Sequence, residues 1–280
     1  MKTGTLWLAP TPVGNLGDIT QRAIETLRSV AVIACEDTRT TAVLLRHYSI
    51  DTPMLSYHKF NERSRAEQLL ERLRNGEDVA VVSDAGSPGI SDPSGILVRL
   101  AIQEGLPVSP LPGATALVPA LTASGFDTAR FYFAGFAPAK VSEREALLLR
   151  LAAMPDTLVF YEAPHRIRAF LAELLEHLGD RRACLAREIS KHFESFHRGK
   201  LSELLFAEGG VVWKGEFVVV IKGATPAEAS DDALDALLRE RLAAGDSRSD
   251  AVKAVCRQTG APRNRVYERA LSLKEQERRL

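Results

Sequence analysis

Short apolar runs alternating with longer amphipathic stretches fill the first 225 residues of the chain. Apolar runs bounded by Gly, Pro, Asp or Asn are strand signals, and apolar residues at helical spacing mark helices. On this pattern strands are predicted at Leu6–Ala9, Val30–Cys35, Val79–Ser83, Val108–Leu111, Phe131–Phe136, Thr157–Tyr161, Ala183–Ala186 and Phe217–Ile221. Helices are predicted over Asp18–Ser29, Glu62–Arg74 and Arg166–Leu178, with Asp18 as an N-cap and Gln21 completing a capping box. Strands alternating with helices build α/β sandwiches on largely parallel sheets. After Gly125 the strands become denser, and Phe193–His197 with Glu216–Ile221 reads as antiparallel pairing, which places a domain boundary at residues 124–128.

Gly223–Ser230 is small and polar with one proline, the composition of a linker. Beyond it only helices fit, at Asp232–Ala244, Ser249–Thr259 and Arg263–Leu273, and Gly260-Ala261-Pro262 makes the kind of tight break found in helix-turn-helix units. The chain thus divides into 1–125 and 126–224, both α/β, and a small helical domain at 230–280.

Charge adds little to this picture overall, because 36 basic residues balance 36 acidic ones. Its distribution is uneven: from Asp246 to Leu280 nine Lys/Arg face five Asp/Glu, an excess of four. Such a tail suits RNA contact, and equally a dimerisation or packing element with a solvated face. With 45% hydrophobic and 26% charged residues the composition is that of a soluble globular protein. No apolar run reaches the roughly 18 residues of a membrane span, and MKTGTLWLAP has no basic-then-apolar leader pattern. Cys35, Cys184 and Cys256 are odd in number and far apart, giving neither a disulfide framework nor a metal knuckle. A cytoplasmic protein without a membrane partner is expected.

Candidate chemistry gathers where strands end. Ala9-Pro10-Thr11-Pro12-Val13-Gly14-Asn15-Leu16-Gly17-Asp18 follows the first strand and opens a helix, so a ligand can approach its backbone; a tight β–α connection is the plainer reading. Its spacing is not G-x-G-x-x-G, and no P-loop occurs anywhere in the chain. Ser83-Asp84-Ala85-Gly86-Ser87-Pro88-Gly89-Ile90-Ser91-Asp92-Pro93-Ser94-Gly95 follows a buried strand, and long structured loops at strand ends tend to be functional. Its near match to a hydrolase nucleophile elbow fails, because Pro88 after Ser87 has no N–H to lend to an oxyanion hole. Asp84 is either a ligand contact or a turn former. Leu111-Pro112-Gly113-Ala114-Thr115-Ala116 and Phe160-Tyr161-Glu162-Ala163-Pro164-His165-Arg166 repeat the arrangement, and small residues with a tyrosine suit a flat adenine and its ribose better than a triphosphate. His165 reads as a cap or surface residue, and Arg187-Glu188 as either functional or a structural ion pair.

Taken in order, these motifs resemble the 16S ribosomal RNA (cytidine-1402) 2′-O-methyltransferase family of the tetrapyrrole-methylase superfamily. The residues that carry the likeness are Thr11 to Thr20, Glu36-Asp37-Thr38-Arg39, Ser83 to Pro93, Leu111-Pro112-Gly113, Gly135-Phe136, Phe160-Tyr161-Glu162, His165-Arg166, Ala186-Arg187-Glu188 and Gly215-Glu216. It spans about residues 5–222, and the tail resembles the small C-terminal helical domain of that family. Ser94 stands where the family usually has glycine, and Ala114 where it often has proline.

The resemblance implies two α/β domains of the tetrapyrrole-methylase (class III methyltransferase) type, with S-adenosyl-L-methionine in the cleft between them, a small C-terminal all-α domain, and a homodimer. By motif match the cofactor-facing candidates are Pro12, Gly14, Asp84, Gly86, Ser87, Ala114, Thr115, Tyr161 and Ala186. It further implies a ribose 2′-oxygen attacking the sulfonium methyl in line, so that the protein chiefly supplies alignment and desolvation, with a base of modest strength and no metal. Glu36, Asp37 and Glu188 are the candidate bases. Asn15, Arg39, Arg166, Lys191, Arg263 and Arg265 are the candidate contacts to 16S RNA in the small ribosomal subunit. A methylase of a tetrapyrrole-like small molecule and a non-catalytic nucleic-acid-binding regulator are the alternatives; the basic tail weighs against the first and the strand-end loops against the second.

Overall fold

The computed structural model describes residues 2–92, 94–207, 209–225 and 230–277. Pro93 of the Ser83–Pro93 motif, residues 226–229 of the expected linker and residues 278–280 of the basic tail lie outside them. The described residues form two units, Met1–Gly223 and Ala224–Leu280.

The first unit begins with β1 (Leu6–Leu8), α1 (Gln21–Ser29), β2 (Val32–Cys35), α2 (Thr38–His47), β3 (Met54–Ser56), α3 (Glu62–Arg74), β4 (Val79–Val82), α4 (Gly95–Gln103), β5 (Val108–Pro110) and α5 (Leu117–Ser124). The strands form a wholly parallel sheet in the order β3-β2-β4-β1-β5. β2 and β4 are buried along their whole length, as apolar runs must be when helices cover both faces of a sheet. Alternate residues serve opposite layers. Val32, Ala34, Val79 and Val81 pack with Leu69 and Leu73 of α3 and Leu97 of α4, while Ile33, Cys35, Ala80 and Val82 pack with Ala23 and Leu27 of α1.

The chain continues through β6 (Phe131–Phe136), α6 (Val141–Leu151), β7 (Thr157–Glu162), α7 (Ile167–Leu178), β8 (Arg182–Arg187), β9 (Ser195–Lys200), α8 (Leu201–Phe206) and β10 (Phe217–Ile221). This second sheet is mixed, in the order β6-β7-β10-β8-β9. β6 and β7 run parallel, while β10 is antiparallel to both β7 and β8. Leu158, Phe160, Val219 and Ile221 face α6 and α7, and Val159, Cys184, Ala186, Val218 and Val220 face Ala120 and Leu121 of α5. Thus α5, although it precedes residues 124–128, packs on the second sheet.

Two expectations need correction, and one strand was not expected. The cap of α1 is Thr20, whose Oγ1 accepts the Ala23 N–H at 3.1 Å; Asp18 instead sits in a 3-10 turn at Leu16–Asp18, and Gln21 donates to Glu25. Thr20 wins because the 3-10 turn uses up Asp18 before the α-helix starts. The strand near residue 195 pairs antiparallel with β8, not with the segment at Glu216–Ile221, since β10 inserts between β7 and β8. β3 escapes the pattern because it is three residues long, half-exposed and at the sheet edge.

The second unit holds α9 (Asp231–Ala243), α10 (Arg248–Thr259) and α11 (Arg263–Glu277) around a core of Leu234, Leu238, Val252, Val255, Val266 and Leu273. Gly260 ends α10 in the left-handed conformation, at the break foreseen from Gly260-Ala261-Pro262. Arg265 pairs with Asp231 at 2.8 Å and Arg269 with the buried Asp235, so α11 is tied to α9 by charge as well as by packing.

Candidate functional site

In a parallel sheet, ligands gather at the carboxyl edge, where neighbouring connections diverge. Here the loops after β1, β4 and β5 meet at that edge and are joined to one another. Thr11 and Gly86 exchange two backbone hydrogen bonds of 2.9 Å, an isolated bridge between the first two loops. Thr11 Oγ1 donates to the Ser83 carbonyl, Ser83 Oγ to the Gly86 carbonyl, and Ser87 Oγ to the Ala114 carbonyl in the third loop. Gly86 makes this possible with φ +87°, a backbone conformation that residues with side chains rarely adopt.

The second sheet closes the site with its own strand ends. A cavity of about 410 Å³ is lined by Val13, Glu36 and Asp84 to Ser87 with Ile90 to Asp92, Thr115 and Ala116, and from the other side by Phe136, Tyr161 to Pro164, Ile189 and Glu216 to Val218. That volume lies within the range of small-molecule sites. Tyr161 is fixed in place: its hydroxyl oxygen accepts the Leu117 N–H at 3.1 Å, and Phe133 and Phe136 stand edge-on at 4.9 and 5.6 Å. Ser91 of the lining is a non-glycine residue in the left-handed region, as are Glu188 and Ser190 on either side of the lining residue Ile189, and such strain tends to persist at working sites. The Ser190 hydroxyl donates to Asp18, tying the loop after β8 to the loop after β1.

The cavity wall is acidic. Asp92 is pushed up to about 6, first by burial and then by the charges of Glu36 and Asp84, against a hydrogen bond from Ser83. Glu36 is raised by burial and by Asp84, against the pull of His58. Asp84 accepts the Asp37 N–H at 3.1 Å. The two other candidate bases are in different surroundings. Asp37 caps α2, holds Arg39 at 2.7 Å and drops to about 2 because of the hydrogen bonds from Arg39. Burial raises Glu188, but Lys191 and the Glu216 N–H outweigh it and leave the carboxyl below its ordinary value. Neither lines the cavity.

Of the residues expected to face a cofactor, Asp84, Gly86, Ser87, Thr115 and Tyr161 share the cavity. Pro12 and Ala114 belong to the same strand-end loops but are not among the lining residues. Gly14 lies beneath Lys191 and the Ile189 carbonyl, where a Cβ would fall 2.4 Å from Lys191 Cγ. Ala186 is fully buried under α5. Arg187 is not paired with Glu188: it donates to the Lys214 and Phe193 carbonyls, and Glu188 pairs with Lys191. Lys191 also holds Glu216 at 3.0 Å, and Arg166 donates to the Ala137 and Pro138 carbonyls. Asn15 caps the 3-10 turn, Arg39 is exposed beyond its Asp37 contact, Arg263 is exposed, and Arg265 is held by Asp231.

Asp92 and Phe136 stood inside quoted motifs without a role, and their place at the cavity comes from loop folding. Among the described residues no group of His, Cys, Asp and Glu is arranged to hold a metal ion.

Residues 5–205 match the family described as tetrapyrrole (corrin/porphyrin) methylases, and residues 228–274 match the RsmI C-terminal HTH domain. The chain is 51% identical over 271 residues to the ribosomal RNA small subunit methyltransferase I of Micromonospora olivasterospora, covering 95% of this chain and 86% of that protein. It is 45% identical to the protein of the same name from Synechocystis sp., covering 96% and 98%. Among solved structures, uroporphyrin-III-C-methyltransferase from Thermus thermophilus superposes with a TM-score of 0.56 at 19% identity, covering 78% of this chain and 94% of that one; this likeness concerns the fold.

Proposed function

The chain belongs to the ribosomal RNA small subunit methyltransferase I family of the tetrapyrrole methylases, and from that premise we propose that it moves a methyl group from S-adenosylmethionine to the ribose 2′-oxygen of a cytidine in 16S ribosomal RNA. The resemblance of its motifs points to cytidine 1402. On the same reading its partner is the small ribosomal subunit, its working form a homodimer and its compartment the cytoplasm.

The observation that carries the reading is the acidic cavity stitched from three strand-end loops and closed by Tyr161. The residues present fit the cofactor. The aromatic and aliphatic side of Tyr161, Phe136, Ile90 and Val218 suits a flat base, and Glu36, Asp84 and Asp92 suit a cation. When bound, S-adenosylmethionine supplies a methyl group already activated by the sulfonium charge. The chain's own work is then to align, to exclude water and to take a proton.

Asp84, Gly86, Ser87, Thr115 and Tyr161 are the proposed cofactor contacts. Pro12, Gly14 and Ala114 shape the strand-end loops, and Ala186 supports the floor. For the proton, Asp92 joins Glu36: both line the cavity with raised affinity for a proton, whereas Asp37 and Glu188 are engaged elsewhere. Asn15, Arg39 and Arg263 are the proposed RNA contacts. Arg166, Lys191 and Arg265 hold local structure first and meet RNA only with the donors left over.

The test incubates the protein with labelled S-adenosylmethionine and small subunits, naked 16S RNA or tetrapyrroles, the RNA coming from cells that lack the modification. Label in RNA, with alkali resistance at the modified linkage, is expected. Label in tetrapyrrole, or on a base, would overturn the assignment.

A further inference from the structure

The segment after β3 presents a feature that the methyl-transfer site does not use. Tyr57 is buried and anchors it: the Tyr57 N–H donates to the Cys35 carbonyl at 2.8 Å, and its hydroxyl donates to Glu62 at 3.1 Å. The next residues turn back on the Asn61 carboxamide, which accepts the His58 N–H at 2.8 Å and donates to the Ser56 carbonyl at 3.2 Å. The Phe60 N–H donates to His58 Nδ1. A loop held this firmly at its base carries Phe60 outward, 95% exposed, with only the edge of the His58 ring beside it at 6.1 Å. Phe60 therefore contributes nothing to the core.

Position and charge narrow the choice of partner. The loop leaves the same carboxyl edge as Glu36 and Asp84, and His58 lies near enough to Glu36 to oppose the effect of burial on it. Lys59 and Arg63 stand on either side of Phe60 in the sequence, both exposed and without an ion-pair partner among the described residues. A protein partner would seek an apolar patch around Phe60, yet its neighbours are His58, Lys59, Asn61 and Arg63. An aromatic face between cations is the arrangement that receives unpaired bases and their phosphates.

We propose that Phe60 stacks on an unpaired nucleobase of the RNA substrate close to the methylated nucleotide, with Lys59 and Arg63 on the adjoining phosphates. The proposal rests on the RNA-methyltransferase reading. Kinetics of the full-length Phe60→Ala and Phe60→Trp variants test it, with unmodified small subunits as substrate and cofactor affinity measured by calorimetry. Loss of one stacked base raises the KM for RNA roughly 5- to 150-fold, while Phe60→Trp stays near wild type and cofactor affinity does not move. A photoreactive benzoylphenylalanine at position 60 should crosslink to 16S RNA near the methylated site. An unchanged KM in Phe60→Ala, or a crosslink to a ribosomal protein, overturns the stacking role while wild-type labelling of RNA still stands. Absence of wild-type labelling overturns the function itself.

Discussion

Replacing Asp92 by asparagine should slow methyl transfer and stabilise the fold at once. Burial and the neighbouring Glu36 and Asp84 hold the Asp92 carboxyl at about 6, against an ordinary value of 3.8. A difference of about two pH units corresponds to about 3 kcal/mol, and partial solvent access reduces this to roughly 1–2 kcal/mol. The sign follows from proton counting. Between pH 4 and 6 the folded chain binds a proton at Asp92 that the unfolded chain has released, so stability falls as pH rises through this window and the cost is complete above it. An asparagine at this position would carry no such cost. Thermal melts at pH 7.5 should therefore rise by about 2–6 °C for the variant, and the gap should close near pH 3. Activity should move the other way. As the base, Asp92 gives a rate that climbs with pH through about 6, with roughly a tenth of the plateau left at pH 5, and its loss costs about 10²–10⁴-fold and removes that limb. Glu36→Gln should shift the limb to lower pH by removing one repelling charge. Melts at pH 7.5 no higher than wild type would refute the charge crowding, and a pH limb that survives in Asp92→Asn would refute its role as base.

Other consequences can be checked directly. Asp84→Ala removes the acceptor of the Asp37 N–H and one charge of the cavity wall, so calorimetric affinity for S-adenosylmethionine should fall at least about tenfold, a cost typical of a lost charge-assisted hydrogen bond; unchanged affinity would dismiss it as a contact. Gly86→Val places a branched side chain at φ +87°, costing about 1–3 kcal/mol, and both the melting temperature and cofactor affinity should drop. Deleting residues 226–280 should impair methylation of RNA more than cofactor binding, because α9–α11 close their own core and the cavity residues all precede them. Equal RNA activity without that unit would end its assigned role.

The strand ends were legible in the sequence because two physical signals coincide there. A continuous apolar run such as Val79–Val82 has to be a strand covered on both faces, and a Gly- and Pro-rich loop that follows it cannot be core. This located at the carboxyl edges the loops that carry Asp84, Gly86, Ser87 and Thr115, and the strand end at Tyr161. What the pattern could not supply was the pairing of β9 with β8, or the packing of α5 on the second sheet. Both depend on contacts distant in sequence. The structure separates the three candidate carboxylates, with Glu36 on the cavity wall and Asp37 and Glu188 engaged by basic side chains. Asp37 lies two residues before Arg39 at a helix start, and Glu188 three residues before Lys191, so local neutralisation could have been read for both. Asp92 has no such neighbour, and its significance arises only when the fold brings Glu36 and Asp84 to it.

That contrast separates two uses of acidic residues in one chain. Asp37, Glu188, Asp231 and Asp235 each have a basic side chain within ion-pair distance, and they fix helix ends, loops and the α9–α11 contact. Glu36, Asp84 and Asp92 line one cavity, and no basic side chain forms an ion pair with any of the three among the described residues. Folding gains nothing from placing like charges together in a partly dry cavity; the crowding costs stability and raises proton affinity. An arrangement that the fold itself does not favour is explained by what enters the cavity. A cationic guest relieves the repulsion on arrival, and a hydroxyl nucleophile finds a carboxylate already inclined to take its proton. The sulfonium and the ribose hydroxyl of the proposed reaction bring these two requirements to one wall of acids.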